Sequence, residues 1–213
     1  MKSDTKRDIW RMVHAERAAL VEDLARLEPE QWDTPSLCAG WTVHDVAAHL
    51  VDTALTTRTG FVAGLVRARF DFDLQNRRGV ERWRGDSPEE TLARLRRVVS
   101  RTSTPPASLD TRLVEEVVHG EDIRRVVVLE RVYPQEAVAR ALRLQVRTPA
   151  SFGGAKEMVA AVRLTATDAG LSIGEGPEAA GPALSLLLAV SGRRVVLGEL
   201  DGPGVAALTE PAA

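Results

Sequence analysis

Of the four histidines in this 213-residue chain, two stand where they could bind an ion. In Glu115-Glu116-Val117-Val118-His119 a carboxylate and an imidazole lie four residues apart. On a helix that spacing is about 400° of rotation and about 6 Å of rise, so both side chains project from one face. Such a pair arises by chance in many helices, but His49 strengthens it. This residue lies in Asp45-Val46-Ala47-Ala48-His49-Leu50-Val51, among small and apolar neighbours of a core-facing stripe, where a neutral imidazole needs a partner. One His from one helix and a Glu/His pair from another make the three-ligand set that leaves open positions on a catalytic metal. His49, Glu115 and His119 suit Zn²⁺, with Ni²⁺ or Fe²⁺ also compatible. Asp45 and Asp52, four before and three after His49, and Asp122, three after His119, are placed to accept the outer N–H groups of the rings.

An open metal position of this kind activates either a thiol or a water. The ligand set alone therefore fits a thiol-dependent enzyme, a metal-dependent hydrolase, or a non-catalytic binding module that metal holds together. Cys38 is the only cysteine, which excludes an intrachain disulfide and a cysteine-based zinc cluster, and no base stands beside it in sequence. His14 and His44 read as surface residues. Trp32, Trp41 and Trp83 read as packing, with Trp41 stapling a helix start. The chain has no Gly-rich phosphate loop, no Gly-x-Ser-x-Gly and no His-Glu-x-x-His, which argues against nucleotide hydrolases and zincin proteases.

These residues need elements to position them. Apolar positions from Thr5 to Leu27 recur at helical spacing up to Pro29. After a loop, Thr42 and Asp45 form a capping box, and a second helix should run from there to about Arg67. Phe70 to Asp86 lacks period or cap and reads as a long connection. Ser87-Pro88-Glu89-Glu90 opens a third helix, to about Ser100. A fourth begins near Asp110 and takes in the Val126–Leu129 run, and Pro134 opens a fifth, to about Arg147. Five helices with such connections predict an antiparallel bundle over residues 1–148.

The composition changes at Thr148–Gly154, a linker, and residues 155–213 read as a small α+β domain. A hairpin turns at Asp168-Ala169-Gly170, Ala183 to Val190 is helical, Arg194 to Glu199 is a further strand, and Gly204 to Thr209 a short helix.

Composition narrows the function further. The net charge is −2, with 44% apolar and 27% charged residues and no Lys/Arg run set among stacking aromatics, so nucleic acid is not the expected partner. Charges interrupt the first thirty residues, which leaves no signal-peptide core, and the longest charge-free apolar stretch, Ala179–Gly192, is too short to span a bilayer. The expectation is a cytoplasmic protein without a membrane segment, monomer or homodimer, acting on small molecules. Only Lys2, Lys6 and Lys156 are lysines among 28 basic residues, a bias typical of high-GC coding.

Trp32, Pro35, Ser36, Cys38, Gly40, Trp41, His49 and Leu50 fall on the pattern W-x-x-P-S-x-C-x-G-W-x-x-x-x-x-x-x-H-L, and in this the chain resembles the mycothiol-dependent maleylpyruvate isomerase family. Ala183–Leu208, with Gly192-Arg193-Arg194 and Leu200-Asp201-Gly202-Pro203, looks like that family's C-terminal domain. The resemblance implies a DinB-like helical bundle followed by a small α+β domain similar to sterol carrier proteins. It also implies a metal, Zn²⁺, on His49, Glu115 and His119, the thiol mycothiol as cosubstrate, and an actinobacterial source. The reaction it implies is cis–trans isomerisation or S-transfer on a small electrophile, with Arg82, Arg84, Arg193 and Arg194 as candidates for holding the substrate.

Overall fold

The computed structural model describes residues 2–209, with side chains from Thr5 onward, and the chain forms two compact units that divide between Val132 and Tyr133. The first unit holds α1 (Lys2–Leu24), α2 (Val43–Leu55), α3 (Arg58–Arg67), α4 (Phe72–Trp83), α5 (Pro88–Val98) and α6 (Thr111–Arg124). The central helix is α2, which packs against α4, α5 and α6 while α1 lies along α6 and α5. Its sequence explains this position: Val43, Val46, Ala47, Leu50, Val51 and Ala54 surround the helix and all are buried. Its start is fixed by the expected capping box, in which Asp45 N–H donates to Thr42 Oγ1 and Thr42 N–H donates to Asp45 Oδ2 at 2.9 Å.

Two expectations fail in the next segment. The second helix does not run on to Arg67, because Thr56 and Thr57 are extended and Thr57 Oγ1 accepts from Gly60 N–H, capping α3 as a new helix. Nor is Phe70–Asp86 a plain connection: Asp71 accepts from Leu74 N–H and starts α4. The apolar period was weak because α3 buries no residue and α4 buries only Gly79 and Val80. Arg69 and Phe70, both at positive φ, make the sharp reversal between them.

Ser87 and Pro88 open α5 as expected. The following helix, α6, stops at Arg124, so Val126–Leu129 lies beyond it, with Val128 at φ 58° and exposed. Ion pairs tie α1 to the far end of the unit: Arg17 to Glu116 at 2.7 Å with both side chains about 1% exposed, Asp23 to Arg124 at 2.7 Å, and Glu16 to Arg131 through two bonds.

The second unit begins earlier than expected. Helix α7 (Gln135–Gln145) packs on α8 (Ala183–Val190), so the division falls at Val132–Tyr133 and not at the Thr148–Gly154 segment. The predicted hairpin is present as β1 (Arg163–Ala166) and β2 (Leu171–Ile173), antiparallel, with Leu164 opposite Ile173. Arg194–Glu199, expected as a strand, is a 3₁₀ turn; the third strand is β3 (Glu178–Gly181), parallel to β1, giving the order β2-β1-β3. Outside the ladder, Asp201 pairs with Ala180 of β3 through two backbone bonds of 2.8 Å. Gly204–Thr209, expected as a short helix, falls largely within another 3₁₀ turn, Pro203–Leu208. This unit therefore confirms the α+β class. Among the described residues, no helix is long and apolar enough to cross a membrane.

Candidate metal centre

His49 sits in the middle of α2, 4% exposed, with α6 opposite. Glu115 and His119, one turn apart on α6, close the cluster. Glu115 Oε2 lies 3.2 Å from His49 Nε2 and 3.5 Å from His119 Nε2, and one ligand atom from each of the three residues falls within 4.8 Å of the others. The two rings meet edge to face at 4.7 Å, and Trp41 stands against both, 4.9 Å from His49 and 6.5 Å from His119. Trp41 is thus a wall of the cluster, a role its sequence position before the helix cap did not disclose.

The electrostatics follow from this crowding. Burial pushes the Glu115 carboxyl up, but the hydrogen bond and charge of His49, together with Arg112 and His119, outweigh it and hold the carboxyl well below the ordinary range. Burial lowers the His119 pKa from its ordinary value, opposed by its bond to Asp122. Asp122 is fully buried and lies 2.9 Å from His119 Nδ1, which assigns the ring proton to Nδ1 and leaves the Nε2 lone pair facing Glu115. A carboxylate oxygen and an imidazole lone pair that face each other at 3.5 Å repel unless a proton or a cation lies between them. Two nitrogens and one carboxylate oxygen are the donor set of a borderline divalent ion, so these residues fit a metal.

The expected acceptors divide. Asp122 reaches its histidine. Asp45 does not reach His49, because it accepts from Thr42 and pairs with Arg84 at 3.1 Å. Asp52 does not hydrogen-bond His49 either, although its carboxyl, raised by burial, feels the charges of His49, Arg82 and Glu115. His49 Nδ1 is buried with no hydrogen-bond partner among the described residues.

Arg112, unremarked in the sequence, is buried three residues before Glu115. Its Nη1 donates to the Thr53 carbonyl at 2.7 Å, and its Nη2 is 3.7 Å from Glu115 Oε1. The spacing on α6 was the one available signal. Cys38 was read as a thiol without a base, yet its sulfur groups with His119 and Asp122 within 4.8 Å. The loop before Cys38 is anchored there, as Leu37 N–H donates to the Asp122 carbonyl at 3.2 Å.

His44, expected at the surface, is 3% exposed and bonds Thr91 Oγ1 at 2.7 Å. His14 is partly buried, its Nε2 3.2 Å from the Arg101 carbonyl. Of the arginine candidates, Arg82 lines a cleft beside Asp52, whereas Arg84 is bound to Asp45. Arg193 and Arg194 lie in the second unit, Arg193 donating to the Ser191 carbonyl.

His, Glu and His converge from two helices of the bundle, an arrangement that could hold a metal ion in its core. The relation is specific as well as architectural. Residues 13–111 match the model of the mycothiol maleylpyruvate isomerase N-terminal domain. No curated protein sequence matches. Two crystal structures share the fold: a His-to-Ala variant of the mycothiol-dependent maleylpyruvate isomerase, with TM-score 0.65, and that isomerase itself, with TM-score 0.61. Each is 12% identical, and each alignment covers 93% of this chain and 92% of the other. Residues 13–111 are thus similar to the mycothiol maleylpyruvate isomerase N-terminal domain, the family that the Trp32–Leu50 segment resembles, and that family is named for an enzyme.

Proposed function

We propose that this chain is a metal-dependent enzyme that uses a low-molecular-weight thiol, mycothiol, on a small electrophile. The observation that carries this reading is the convergence of His49 Nε2, Glu115 Oε2 and His119 Nε2. A divalent ion, zinc by donor chemistry, would be held by these three and would supply the Lewis acidity that keeps a thiol deprotonated at neutral pH. Asp122 fixes the His119 ring in the tautomer that binds through Nε2, Arg112 backs the Glu115 carboxylate, and Trp41 screens one side of the cluster from water.

The reaction class is thiol addition to an electrophilic carbon. Departure of the thiol after bond rotation gives cis–trans isomerisation; retention gives S-transfer. The family supports the thiol, and the cytoplasm of an actinobacterium is the setting that would provide it. The test is metal analysis by plasma mass spectrometry, followed by turnover of electrophiles with and without thiol. About one zinc per chain, lost in Glu115→Ala, with turnover that needs the thiol, is the expected result. Metal-dependent turnover indifferent to thiol would replace this reading with a hydrolase.

A further inference from the structure

His119 belongs to two sets of ligand atoms. With His49 and Glu115 it forms one, and with Cys38 and Asp122 it forms another; within each set, one atom per residue lies within 4.8 Å of the others. The second set comes from two places in the bundle: His119 and Asp122 stand three residues apart on α6, and Cys38 lies in the loop that leads into α2. Asp122 is wholly buried, with Oδ2 2.9 Å from His119 Nδ1, whereas Cys38 is half-buried. Of the two acidic groups in the set, the thiol is therefore the one open to solvent.

The loop holds Cys38 beside α6 through its backbone. Leu37 N–H donates to the Asp122 carbonyl at 3.2 Å, Cys38 N–H to Ser36 Oγ at 3.2 Å, and Trp41 N–H to the Cys38 carbonyl at 3.1 Å. Gly40, at φ 80°, supplies the left-handed residue on which the turn closes. A sulfur fixed in this way loses little freedom when it takes a ligand.

The two sets differ in softness. Two imidazole nitrogens and a carboxylate oxygen suit a borderline ion, and a thiolate in place of one imidazole favours a soft one. Nor can both sets be filled at once. A neutral imidazole has a single lone pair, so a ring that offers Nδ1 to one ion carries its proton on Nε2 and offers nothing to the other.

We propose that Cys38 Sγ, His119 Nδ1 and an Asp122 carboxylate oxygen form a second cation site, for a thiophilic divalent ion of the cadmium class, and that filling it withdraws His119 from His49 and Glu115. The withdrawal rests on the metal site proposed above; the second set does not. On binding, the thiol proton passes to solvent. The ring proton moves from Nδ1 to Nε2, where Glu115 Oε2, 3.5 Å away, faces it. A soft ion then inhibits by taking a ligand away from the first site, without occupying that site.

The experiment titrates metal-free, full-length protein with cadmium chloride, followed by the ultraviolet absorption of the cadmium–thiolate bond and by ¹¹³Cd NMR. One equivalent bound with that absorption, at least tenfold more weakly in Asp122→Asn and without the absorption in Cys38→Ser, is the expected result. In the zinc-loaded protein the same addition should release zinc to a coloured chelator, and at equal zinc loading the release should be at least tenfold weaker in Cys38→Ser. No thiolate absorption, unchanged affinity in Asp122→Asn, or cadmium and zinc held together on one chain overturns the proposal. Zinc content keeps the two readings apart: cadmium–thiolate binding in a protein that takes no zinc removes the function proposed above and leaves the second site, and zinc binding without thiolate absorption removes the second site alone.

Discussion

Glu115 and Glu116 are neighbours on α6 and meet opposite environments. Glu116 turns toward α1 and is sealed against Arg17 at 2.7 Å, a pair of charges that satisfy each other. Glu115 turns toward α2 and meets two imidazoles, with His49 Nε2 at 3.2 Å and His119 Nε2 at 3.5 Å from one of its oxygens. The first arrangement sets opposite charges against each other, and the second gathers a donor set that could hold a cation. One helix therefore has a face that holds the bundle and a face that carries the proposed site, and a rotation of about 100° per residue separates them.

Breaking the structural face should give the largest effect. Glu116→Ala leaves Arg17 buried and uncompensated, and we expect a loss of about 3–5 kcal/mol in urea unfolding. Zinc bound per folded molecule should be unchanged. In Glu115→Gln the reverse is expected, with zinc lost and stability falling far less than in Glu116→Ala. Equal destabilisation by both would erase the contrast.

Asp122→Asn tests the site face more finely. It keeps the shape of the side chain but weakens the hold on His119, and zinc affinity measured by chelator competition should fall about 10- to 100-fold. An unchanged affinity would mean that ring packing against His49 and Trp41 suffices to orient His119.

A similar contrast runs along α2, where His44 is bonded within the core and His49 belongs to the proposed site. Burial first, and Arg84 second, lower the His44 pKa from its ordinary 6.5. The unfolded chain therefore takes up a proton below about pH 6.5 that the folded chain refuses, and stability should fall as pH drops through that value. One such proton gives a slope of at most about 1.4 kcal/mol per pH unit. His119, lowered in the same direction, adds to it in the metal-free protein. Urea midpoints at pH 7 and 5.5 should converge in part for His44→Gln, and an unaltered slope would assign the effect elsewhere.

What could be read in the sequence was local. Thr42 with Asp45, Ser87 with Pro88, and the Glu115–His119 and His119–Asp122 spacings each act within a turn or two, and each appears as read. The approach of His49 to Glu115, across 66 residues, was reached only by combining a core-like setting with a ligand pattern. Partners fixed by packing were out of reach. Arg17 finds Glu116 across 99 residues, and His44 finds Thr91 across 47, and nothing near either residue marks its burial. Helix α4 was missed for a different reason: it buries two residues, so its apolar period is faint although the Asp71 cap was in plain view. The cleft beside Asp52 that Arg82 lines was missed with it.

The second unit carries a safeguard in its sheet. A strand with a free edge invites pairing with another molecule, the first step toward aggregation. On β3 that edge is taken by Asp201, bonded both ways to Ala180. The chain can lie so close because the following residues are Gly202 and Gly204; a Cβ on either would run into the Glu178 or Pro177 carbonyl at 2.3 and 2.5 Å. A side chain at either glycine would lift the strap and open the edge, so the harm would show as precipitation on storage before it showed as lost activity.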